Sequence, residues 1–78
     1  MKEFTITENM WNLSKDEKYQ YNCTHNLNTK SLNFSVTDLE GNPMASAISI
    51  EDENNLVIYS DTNDVIKLVI EVREERLY

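Results

Sequence analysis

Apolar and polar residues alternate with a period of two through most of the chain. Phe4 and Ile6 alternate with Thr5 and Thr7, and Tyr19, Tyr21 and Cys23 alternate with Gln20, Asn22 and Thr24. Leu32, Phe34 and Val36 alternate with Asn33, Ser35 and Thr37, and Ile48 and Ile50 flank Ser49. Leu56 and Ile58 share one phase, with Val57 and Tyr59 on the other. Ile66, Leu68, Ile70 and Val72 form the longest series, interrupted by Lys67 and Glu71. In an extended strand, successive side chains point to opposite faces, so each segment reads as a strand with one apolar face. Six such segments in 78 residues predict antiparallel pairing with one face in solvent.

The gaps between the strands carry turn chemistry. Asp38-Leu39-Glu40-Gly41-Asn42-Pro43 holds the only Gly and the only Pro. Gly adopts positive φ cheaply and Pro has no N–H to give a ladder, so a strand ends there. Asp52-Glu53-Asn54-Asn55 separates two strands, and Asn tolerates the left-handed region that a tight hairpin requires. Asp61-Thr62-Asn63-Asp64 precedes the last strand. Consecutive hairpins then predict a meander from about Ser31 to Val72. Ser14-Lys15-Asp16-Glu17 has capping-box spacing and predicts a single helical turn. Ile66, Val69, Ile70 and Arg73 would share a helical face, but β-branched residues dominate that stretch and favour a strand. The expected architecture is a single all-β domain over residues 1–78, a small antiparallel β-sandwich or curled sheet of about five to seven strands joined by hairpins.

Charge narrows the partners. Fourteen Asp and Glu oppose seven Lys and Arg, a net charge of −7. That balance disfavours a nucleic-acid backbone and an anionic membrane surface. No stretch has the length of a membrane span, and the N-terminal residues lack the apolar run of a signal peptide. Cys23 is the only cysteine, which excludes an intrachain disulfide and a thiolate zinc cluster and suits a reducing compartment.

Little in the sequence points to catalysis. His25, the only histidine, shares a strand face with Cys23 if the strand continues, but no third orienting group follows from the spacing. Cys23 reads as a small buried apolar residue and His25 as a ring that holds a turn or lies on the surface. Glu51, Asp52, Glu53, Asp61 and Asp64 lack the spacing of a calcium loop and read as solvated turn acids. No catalytic, cofactor or metal site is expected. Trp11 reads as a core or subunit-interface residue, with a sugar-stacking platform of Trp11 and the tyrosines as the rival. If Ile58 and Ile70 point inward, Val57, Tyr59, Val65 and Val69 form an apolar patch outside, the mark of an association surface.

Three pieces resemble a small β-module of structural proteins from tailed bacteriophages and prophages. His25-Asn26-Leu27-Asn28-Thr29-Lys30, running into Leu32–Val36, resembles its His-x-Leu opening. Thr37-Asp38 with Gly41-Asn42 resembles its Asp-x-x-Gly hairpin. Ile48–Ile58 is similar to its strand, Asp/Asn turn and following strand. The resemblance spans roughly residues 19–72 and implies structural roles only: Leu27 plugs the core and His25 fixes the turn. It further implies a non-enzymatic structural or adaptor module that assembles in a bacterial host cytoplasm or virion through protein contacts, with itself and other virion proteins as partners. A small acidic inhibitor of a host protein and a carbohydrate-binding module are the alternatives. Leu27 and Phe34 are expected core residues, because each sits on the apolar phase beside a polar one.

Overall fold

Ile66, Leu68 and Ile70 are buried, whereas Lys67 and Val69 between them are half-buried and Glu71 is exposed. This is the alternation of a strand with one face on a core. It organises a computed structural model that describes residues 1–73. The strands are β1 (Lys2–Ile6), β2 (Asn12–Leu13), β3 (Tyr19–Thr24), β4 (Leu32–Thr37), β5 (Ala47–Ile50), β6 (Asn55–Ser60) and β7 (Ile66–Val72). They form a three-stranded sheet in the order β1-β7-β4 and a four-stranded sheet in the order β2-β3-β6-β5, with every pairing antiparallel. The all-β expectation holds.

Register fixes what faces inward. Phe4 lies opposite Leu68 and Ile6 opposite Ile66, while Phe34 lies opposite Ile70 and Val36 opposite Leu68. In the other sheet Cys23 lies opposite Leu56, and Tyr21 and Ile48 both flank Ile58. Ile6, Leu32, Ile66, Leu68 and Ile70 of the first sheet and Cys23, Leu56 and Ile58 of the second form one buried cluster, joined by Trp11. The molecule is therefore a two-layer sandwich whose core is the shared inner face. Phe34 and Leu27 pack against this cluster but are only partly buried.

The meander does not form. Among the described residues only β5–β6 and the short β2–β3 pair are hairpins; β4 pairs with β7 rather than with β5. The chain changes sheet after β1, β3, β4 and β6. Alternation identifies a strand and its inner face, but it does not name the neighbour. The connection from β4 to β5 is too long for a tight hairpin, and both it and the connection from β6 to β7 cross the gap of about 10 Å between the layers.

The helical turn expected at Ser14–Glu17 is also replaced. Those residues close the β2–β3 hairpin: the Ser14 amide donates to the Lys18 carbonyl at 2.7 Å and Glu17 donates back to Ser14 at 3.1 Å. Glu17 takes a φ of 61°, and the Ser14 hydroxyl accepts from the Lys18 amide instead of capping a helix. A 3-10 turn forms at Glu8–Met10.

The two ends of the sandwich differ. One end gathers the start of β1, the crossover 25–31, the turn 51–54 and the end of β7. The opposite end gathers the connections 7–11, 14–18, 38–46 and 61–65. Seven acids lie in that second set, Glu8, Asp16, Glu17, Asp38, Glu40, Asp61 and Asp64, against Lys15 and Lys18.

Candidate functional site

His25 follows β3 and continues its inward phase, and it is fully buried. Its Nδ1 accepts the Leu27 amide at 3.0 Å, so the ring fixes the turn that follows, as the His-x-Leu spacing implies. Asn26 and Asn28 take φ of 57° and 58°, which Asn tolerates better than most residues. The same crossover is tied to the turn between β5 and β6. His25 donates its amide to the Asn54 carbonyl at 2.8 Å and Thr29 to the Glu53 carbonyl at 2.9 Å. The Asn28 amide adds a bond to Asn54 Oδ1 at 2.8 Å. Lys2 lies on the inward phase of β1 with Phe4 and Ile6, and its ammonium donates to the His25 carbonyl. That phase was visible in the sequence; the contact was not, because it joins positions distant along the chain.

Two loops are organised by aspartates. Asp38 Oδ1 accepts the amides of Glu40 and Asn42, each at 2.9 Å, and Gly41 takes a φ of 92°. These bonds hold the Asp38 carboxyl below its usual range, the Asn42 amide contributing most. Asp52 does the same for its own turn, accepting the amides of Asn54 and Asn55 at 2.8 Å. Its carboxyl is likewise lowered, chiefly by the Asn54 amide. Both carboxylates are spent on backbone. Among the described residues, no group of three or more His, Cys, Asp or Glu is arranged to hold a metal ion.

Cys23 is buried on the inner face of β3 beside Leu56 of β6, and desolvation pushes its thiol up to about 11 against a smaller opposing effect from Lys2. A thiol held protonated is a packing group, not a nucleophile. Trp11 is 8% exposed and its indole N–H donates to the Asp64 carbonyl at 2.9 Å. The ring thus belongs to the core and offers no open face on which a sugar could stack.

The four residues grouped as one apolar patch are divided by the sandwich. Val57 and Tyr59 lie on the outer face of the four-stranded sheet. Val69 lies on the outer face of the three-stranded sheet, between Glu3 and Ser35, and Val65 is in the connection before β7. Sequence phase alone put them together because it does not say which sheet a strand joins. No significant match to a family model, a curated protein or a solved structure is found.

The two outer faces differ in charge. On the three-stranded sheet, Glu3, Lys67 and Glu71 share the outer face, with Lys67 Nζ 3.2 Å from Glu3 Oε1. On the four-stranded sheet, Asn12, Gln20, Tyr59 and Ala47 form one cross-strand row and Asn22, Val57 and Ser49 the next. Thr24 and Asn55 complete the face, joined by a side-chain bond of 2.6 Å. None of these strand positions is charged, in a chain where charged residues make up 27% of the sequence. Glu51, just past β5, borders the face and accepts the Ser49 hydroxyl. At the acidic end, an open groove of about 280 Å³ lies between residues 45–47 and 59–61, with Lys18 beside it.

Proposed function

We propose that this protein is a non-enzymatic structural or adaptor module that works through protein–protein contacts, with the outer face of β2-β3-β6-β5 as its contact surface. The observation that carries this reading is the charge-free face centred on Tyr59 and Val57. Interface cores are depleted of charge and enriched in Tyr, flanked by side chains able to hydrogen-bond. The tailed-phage assignment, with assembly in a bacterial host, rests on the sequence resemblance over residues 19–72.

A second copy is the partner this face suits. Two molecules each carrying −7 repel, and closest approach is least opposed where neither presents charge. The eighteen strand residues of this sheet, each covering about 3.3 Å by 4.8 Å, give a face of roughly 300 Å² per copy. That is below the size of a stable specific interface, so association is weak and concentration-dependent.

Sedimentation from about 10 μM to 1 mM tests it. The expected result is a rising average mass that Tyr59→Lys abolishes and Val69→Lys, on the opposite face, leaves unchanged. A monomer throughout, or equal loss in both variants, overturns self-association through this face. The acidic end favours a second reading, recruitment of a basic protein. Its signature is capture that weakens with salt and is insensitive to Tyr59→Lys.

A further inference from the structure

We propose that His25 is a proton-operated latch: adding one proton to its buried ring detaches the crossover 25–31 from the turn between β5 and β6 and opens that end of the sandwich. The bonding pattern fixes the ring's resting state. Nδ1 accepts the Leu27 amide, so the single proton of the neutral imidazole sits on Nε2. Nε2 is buried and has no hydrogen-bond partner among the described residues. A second proton can go only to Nδ1. There it replaces an acceptor with a donor facing the Leu27 N–H, and the charge it brings is spread over a ring already short of an acceptor.

The surroundings add to that cost. Lys2, reaching from β1 to the His25 carbonyl, opposes a second positive charge, whereas Asp52 in the β5–β6 turn favours it. Cys23, on the same inward phase of β3, is held neutral. Glu53 meets the crossover through its backbone carbonyl, with its side chain exposed. Burial and Lys2 outweigh Asp52, and His25 titrates below its ordinary value of 6.5.

The sign follows. The unfolded or opened chain binds the proton more readily than the closed one. Closure is therefore fully favoured above about pH 6.5 and weakens as pH falls towards the folded value, with an opening constant rising up to about tenfold per pH unit. The three bonds lost on release are those of His25, Asn28 and Thr29 to Asn54 and Glu53. Asp38 and Asp52 titrate below their ordinary 3.8, so they do not contribute in this window.

A single histidine makes the test direct. Nitrogen-15 spectra of the imidazole should show the Nε2–H tautomer at neutral pH and a midpoint below 6.5. Amide hydrogen exchange at Leu27, Asn28 and Thr29, corrected for intrinsic rates, should then open more at pH 5.5 than at pH 6.5, by up to about fivefold, while the amides of Leu68 and Ile58 stay protected. His25→Asn places a non-titrating acceptor near the position of Nδ1 and should flatten that pH response. A midpoint at or above 6.5, or an unchanged opening in the parent protein, overturns the latch. So does an equal pH response in His25→Asn.

Discussion

Single residues here are set by what their backbones and polar atoms require. Gly41 illustrates this most simply. A Cβ added at that position would meet nothing within 4 Å, so space does not select glycine; its φ of 92° does. Gly41→Ala should cost about 1–2 kcal/mol through backbone strain alone, read as a lower urea midpoint with an unchanged slope. An unaffected midpoint would mean that the loop relaxes into a φ that alanine accepts. His25 shows the same logic with a side chain. Both roles were readable from local spacing, because an Asx turn and a ring bonded two residues ahead are short-range devices. Lys2 was not readable as a partner of His25, since 23 positions separate them.

At the level of strands, the sequence showed where they lie but not how they pair. The six alternating segments all appear as strands, and the inner phases Phe4/Ile6, Leu56/Ile58 and Ile66/Leu68/Ile70 are the inner faces observed. The short strand Asn12–Leu13 has too few residues to show a period, so only the structure reveals it. Pairing was misread because β7 takes both its neighbours, β1 and β4, from distant parts of the chain. The same error assembled Val57, Tyr59, Val65 and Val69 into one patch. Depth within the layers orders the cost of truncation. Leu68, fully buried in the central strand of its sheet, should lose about 3–5 kcal/mol on change to Ala. Leu27, at the end of the sandwich and only partly buried, should lose about 1–2 kcal/mol. Thermal or urea unfolding checks the order, and a Leu27→Ala variant as damaged as Leu68→Ala would show that the plug outweighs the central strand.

Taken as a whole, the molecule separates its chemistry by position: a charge-free broad face, an acidic end, and an opposite end closed by a buried histidine. Its long connections were legible as turn-rich sequence, yet their gathering at two poles depends on the order of strands and could not be read from composition. One detail of that order bears on how the fold carries load. Lys2 at the start of β1 is paired with Ile70 near the end of β7. A pull applied to these two points therefore acts across the strands, along the ladder hydrogen bonds, which lie perpendicular to strand direction in antiparallel pairs. The bonds are loaded one after another, as in a zipper, rather than together in shear. Stretched from Lys2 and Val72, the domain should yield at low force by peeling β1 from β7, with the sheet β2-β3-β6-β5 the last to lose its pairing.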